Sequence, residues 1–116
     1  MKFLFIDDNA EYLRSIGAAL KKSGDVVIAE CHSVGEAFAA IRRHRPDVLF
    51  LDHHLTDYGE EGYEIARTAL ANHIKVYSTT SNDRVAGTYA EMGIAHISKV
   101  SPLGDFRKII TQHSAA

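Results

Sequence analysis

Five short apolar runs, each followed by a longer segment of helical period, leave this chain few folds to choose from. Such alternation is how a parallel sheet built from strand, crossover helix, strand reads in sequence. The runs cover residues 2–6 (β1), 26–29 (β2), 48–51 (β3), 74–77 (β4) and 95–98 (β5). Asn9 is placed to cap a helix α1, where Leu13, Ile16 and Leu20 recur at three and four residues and Gly24 is placed to end it. Ser33 with Glu36 makes a capping-box pattern ahead of α2, whose apolar stripe is Val34, Phe38 and Ile41 and which Arg45 and Pro46 break. Residues 62–70 form α3 with Ile65, Ala69 and Leu70 inward. Asn82 or Ser81 caps α4, with Val85, Tyr89 and Met92 on one side and Gly93 at its end. Residues 103–113 close the chain as α5, with Phe106, Ile109 and Ile110 inward. The pattern predicts one doubly wound α/β domain over residues 1–116, with no internal linker and no output domain.

Bulk properties exclude several classes. At 116 residues there is no room for a second core, and 46% apolar with 24% charged residues is a globular balance rather than a disordered one. Thirteen basic against fifteen acidic residues give a formal charge of -2, so no broad positive field argues for nucleic acid or an anionic membrane. The single cysteine, Cys31, can form neither an intrachain disulfide nor a thiolate metal site, and reads as an inert, partly buried small residue that suits a reducing cytoplasm. The opening apolar run, residues 3–6, is too short for a signal peptide or a membrane span, so a soluble cytoplasmic protein is expected.

Right-handed crossovers bring the carboxyl ends of all five strands to one edge of the sheet, where open α/β folds bind ligands. At that edge the sequence places Asp7 and Asp8 after β1, Asp52 after β3, Ser78 and Thr79 after β4, and Lys99 after β5. Three carboxylates in one crevice repel one another, and a hard cation with oxygen ligands relieves them, with Mg2+ or Mn2+ the natural candidates. The pair Asp7 and Asp8 can hold the ion while Asp52 acts as a nucleophile toward phosphorus. Lys99 and a hydroxyl from Ser78 or Thr79 would then stabilise the phosphoryl oxygens.

The segments FIDDN (residues 5–9), LFLDHHL (49–55), VYSTT (76–80) and HISK (96–99) together resemble the CheY-like receiver domain of two-component response regulators, across essentially the whole chain. The resemblance implies strand order 2-1-3-4-5, with Asp52 as phosphoacceptor. It also implies that Asp8 binds magnesium directly, Asp7 through water, and the backbone carbonyl of His54 completes the ligands. Ser78 or Thr79 would be the switch hydroxyl, and His96 would stand at the aromatic switch position in β5. A sensor histidine kinase or histidine phosphotransfer protein would be the donor. A downstream protein would read the α4-β5-α5 face, and the resemblance leaves homodimerisation open. The chain departs from the family where Val100, not proline, follows Lys99, where Thr56 replaces a proline, and in an acidic stretch over residues 57–61.

Each of these residues also has a structural reading. An aspartate pair after a strand commonly caps a helix, a lysine at a strand end is commonly a solvated surface group, and the hydroxyls over residues 78–81 also suit turns. His53 and His54 point opposite ways in an extended segment, which opposes a shared imidazole-bound metal. A receiver-like interaction module that signals without phosphorylation is the alternative. A small aspartyl-phosphate hydrolase fits less well, because His54 stands where a second acid is needed, and no G-x-G-x-x-G follows β1 for a dinucleotide. The chain is therefore expected to be a signalling domain rather than an enzyme, catalysing only its own phosphorylation and dephosphorylation.

Overall fold

Alternate residues of a strand face opposite ways, and in β1 (Lys2–Asp7) that alternation divides the core in two. Phe3 and Phe5 join Val48 and Phe50 of β3 (Val48–Leu51) and Tyr77 of β4 (Lys75–Ser78) on one side of the sheet. Leu4 and Ile6 join Leu49, Leu51 and Val76 on the other. The computed structural model of the chain describes residues 1–53, 61–80, 82–98 and 103–114. Within them the strands are parallel and lie in the order β2-β1-β3-β4-β5, as the resemblance implies.

Two helices cover the first side. Leu13, Ile16 and Leu20 of α1 (Ala10–Leu20) and Phe106 and Ile110 of α5 (Leu103–Ser114) pack there. The register sets Phe5, Phe50 and Tyr77 side by side, and their rings stack at 4.3 Å and 5.3 Å, with Phe106 tilted against Phe5 at 5.6 Å. Burying each phenylalanine contributes on the order of 2–3 kcal/mol, so this ladder is a principal source of cohesion across the middle strands. The second side is covered by Ala37 of α2 (Val34–His44), Ile65, Ala66 and Ala69 of α3 (Glu61–Ala71), and Val85 and Tyr89 of α4 (Asp83–Glu91).

The caps follow the sequence. Asn9 accepts from the Tyr12 N–H at 3.0 Å, Ser33 Oγ from the Glu36 N–H at 3.1 Å, and Asn82 caps α4 by accepting from Arg84 and Val85, while Ser81 lies outside the described residues. Gly93 takes a positive φ of 81°, as a helix-terminating glycine does. Several expectations change. β2 (Asp25–Glu30) is one residue longer at each end than read, and β5 shrinks to Ala95–His96, because it is an edge strand paired only with Tyr77 and Ser78. α1 stops at Leu20 with Lys21 in the right-handed region, so Gly24 does not end it; a Cβ at Gly24 would lie 3.2 Å from Ile110 Cγ2, and the glycine makes room for α5. Leu70 is 36% exposed, since it sits a further 100° round the helix from buried Ala69. Met92 falls just past α4 as its C-cap, packed against the core only in part.

Candidate functional site

The backbone of β1 and β3 decides where the acids stand. Asp7 is the last residue of β1, and its carbonyl accepts from the Cys31 N–H at 2.9 Å, while its Oδ1 accepts from the Asn9 N–H at 2.9 Å. Asp52 follows β3, and its N–H donates to the Ile6 carbonyl at 3.0 Å, which holds it beside Asp7. Asp7 and Asp52 are 1% and 2% exposed, whereas Asp8 opens to solvent at the mouth. One carboxylate oxygen from each of Asp7, Asp8 and Asp52 lies within 4.8 Å of the others. For the buried pair alone, that separation means about 3.5 kcal/mol of repulsion at an effective dielectric of about 20. An all-oxygen, threefold acidic set with one open side suits a hard divalent cation that keeps waters.

Ser78, Thr79 and Thr80 are all buried. Leu51 pairs with Ser78, and the Thr79 N–H donates to the Leu51 carbonyl at 3.0 Å, so the register sets Thr79, rather than Ser78, level with Asp52. Ser78 Oγ instead serves the turn, accepting from the Thr80 N–H at 3.5 Å, and its carbonyl accepts from Ile97 at 2.8 Å. Thr80 Oγ1 accepts from the Asn82 N–H at 3.2 Å and helps lead the chain into α4. His96 lies exposed on β5, paired with Ser78. His54 and Lys99, the expected carbonyl ligand and cation, lie outside the described residues, as do Thr56 and Val100.

Tyr12 at this edge escaped the sequence reading, and so did the pairing of His53 with Tyr89. Tyr12 on α1 has its hydroxyl pushed well above the ordinary phenol pKa, first by burial and then by the charges of Asp7 and Asp52, so a neutral phenol stands near the acids. Its signal was present, one turn into the helix that Asn9 caps, but an aromatic beside Leu13 and Ile16 reads as core. His53 and Tyr89 form the other feature: His53 is 4% exposed and shares a hydrogen bond of 2.9 Å with the Tyr89 hydroxyl. Cys31, at the end of β2, is buried, and burial followed by Glu36 and Glu30 pushes its thiol up to about 11.

The family model described as the response regulator receiver domain matches residues 3–111. Among solved structures, the chain is similar to the signal receiver domain of a DNA binding response regulator protein (merR) from Colwellia psychrerythraea 34H. That match has TM-score 0.84 and 19% identity, covering 100% of this chain and 99% of that one. It is also similar to the BeF3-activated N-terminal receiver domain of Klebsiella pneumoniae RstA, at TM-score 0.80 and 27% identity over 97% of each chain. The response regulator DrrB, an OmpR/PhoB homolog of Thermotoga maritima, matches at TM-score 0.76 and 24% identity, covering 98% of this chain and 52% of that one. No curated protein matches the sequence. Among the described residues, no helix is long and apolar enough to cross a membrane.

Proposed function

The chain belongs to the response regulator receiver domain family, and from that premise we propose that Asp52 accepts a phosphoryl group, in a divalent-cation-dependent step, from a histidine kinase or histidine phosphotransfer protein. The observation that carries the proposal is the convergence of the Asp7, Asp8 and Asp52 carboxylates within 4.8 Å, with two of the three buried. Such a cluster is costly to leave uncompensated, and a receiver uses it.

In the proposed step a carboxylate oxygen of Asp52 attacks the phosphorus of a phosphoimidazole, the P–N bond breaks, and the released imidazole regains its proton. Asp7, Asp8 and Asp52, with the carbonyl of His54, are the residues that would hold Mg2+ or Mn2+. When bound, the ion supplies charge that offsets the acids and the equatorial phosphoryl oxygens. Thr79, level with Asp52 across the β3–β4 pair, would be the hydroxyl that donates to one of those oxygens. Lys99 follows β5 in sequence and would neutralise another. Tyr12 sets a neutral phenol near the acids. The signal would leave through protein contacts on the α4-β5-α5 face, in the cytoplasm.

Intact mass after incubation with acetyl phosphate and Mg2+ tests the reading on the wild type and on Asp52→Asn. The expected result is the mass of one phosphoryl group gained by the wild type alone. No gain in the wild type, together with no magnesium-dependent beryllofluoride binding, would remove the phosphoacceptor role and leave a phosphorylation-independent interaction module.

A further inference from the structure

Immediately after Asp52 the chain buries a histidine where the end of β3 meets two helices. The Nδ1 of His53 and the Tyr89 hydroxyl share their hydrogen bond inside the protein, at the centre of a three-ring cluster. Tyr63, from the first turn of α3, lies with its ring 4.5 Å from that of His53 and 4.9 Å from that of Tyr89. The His53 and Tyr89 rings meet edge-on at 5.5 Å and 84°. Gly62 is shaped around this contact: a Cβ there would come within 2.6 Å of both hydrogen-bonded atoms and 3.1 Å of His53 Cα. Any larger residue at position 62 would wedge the pair apart.

A leucine or methionine at position 53 would fill such a space without any polar demand. A buried polar pair has one well-satisfied arrangement, and losing it strands the Tyr89 hydroxyl, which is 0% exposed. The pair therefore links two elements rigidly. His53 is joined to Asp52 by one planar peptide, so its Cα stays 3.8 Å away as a fixed covalent distance. Asp52 is itself pinned to β1 through Ile6. A displacement of the β3 end that follows a change at the Asp52 carboxylate moves His53 with it. Stretching a 2.9 Å hydrogen bond by more than about half an ångström breaks it, so Tyr89 and α4 follow. The Tyr89 phenol stays neutral, its pKa raised first by burial and then by Tyr63 and Asp52.

We propose that the His53–Tyr89 hydrogen bond is a positioning link that passes the phosphorylation state of Asp52 to α4. The inference rests on Asp52 being the phosphoacceptor, and adds the route by which one helix senses it. Neither residue touches the phosphoryl group.

The test is 15N NMR of the full chain titrated with beryllofluoride and Mg2+, following amides of α4 (Asp83–Glu91) and, separately, those of Asp7, Asp8 and Asp52. Tyr89→Phe keeps the ring and removes the hydroxyl. His53→Leu removes the partner, and His53→Asn retains an amide near the Nδ1 position. In the wild type both groups of amides respond. In Tyr89→Phe and His53→Leu the site amides respond as in the wild type, while the α4 response falls at least about twofold, the lower end of what one coupling residue carries. His53→Asn keeps more of the α4 response than His53→Leu. An unchanged α4 response in both Tyr89→Phe and His53→Leu would overturn the link. So would a wild type whose site amides respond while α4 is silent. Silence at the site amides of the wild type would overturn the receiver reading, and the link with it.

Discussion

Asp52→Asn in metal-free buffer should make the domain more stable, and the size of the gain follows from the acid cluster. The variant deletes one of two buried charges whose oxygens lie within 4.8 Å, worth about 3.5 kcal/mol at an effective dielectric of about 20. Two effects reduce that gain. The crevice opens to water beside exposed Asp8, and an amide replaces a carboxylate that accepts stronger hydrogen bonds, a loss of about 1 kcal/mol. The net expectation is about 1–2 kcal/mol, or a Tm higher by roughly 4–8 °C for a domain of this size. Magnesium should narrow the difference. At a free concentration of about ten times Kd it stabilises the wild type by about 1.4 kcal/mol, and the variant by less because a ligand has lost its charge. Urea unfolding followed by far-UV circular dichroism, in EDTA and then in MgCl2, measures both quantities. The reasoning fails if the variant is no more stable than the wild type in EDTA, because the three acids would then not all be charged in the folded state. It also fails if magnesium stabilises the two proteins equally, because Asp52 would then not belong to the cation site.

Other positions yield narrower expectations. Gly62→Ala places a methyl 2.6 Å from His53 Nδ1 and Tyr89 Oη and should cost about 1–3 kcal/mol in urea unfolding despite alanine's better helix propensity; a neutral result would mean that the cluster yields easily. Arg45, the C-cap of α2, sits at φ 45°, and Arg45→Gly should stabilise by about 0.5–1 kcal/mol, measured the same way, with destabilisation counting against backbone strain there. The Cys31 thiol, pushed up to about 11 by burial and by Glu36 and Glu30, should react with a disulfide reagent at pH 8 at least about tenfold more slowly in the folded protein than in urea, and equal rates would refute its burial.

How much of this was legible in sequence depends on whether the signal was local. β1 and β3 stood out because strands covered on both faces are apolar without interruption, and Asp7, Asp8 and Asp52 stood out because each follows such a run. The crossover rule then brings them to one edge with no further information. β5 was overread because residues 95–98, of which only Ala95 and Ile97 are apolar, have only one neighbour strand, and pairing ends at His96. Which of Ser78 and Thr79 stands level with Asp52 depends on the register of β4 against β3, which is set by contacts nearly thirty residues away and has no mark of its own near position 78. The His53–Tyr89 pair is the extreme case. Its partners are 36 residues apart, each alone reads as an ordinary strand-end or helix residue, and only the finished packing of α3 and α4 on the sheet joins them. The acids follow uninterrupted apolar runs, and so were readable. What this chain builds around them, a phenol at position 12 and a polar link to α4, depends on long-range packing, and it is there that its own signalling properties should be sought.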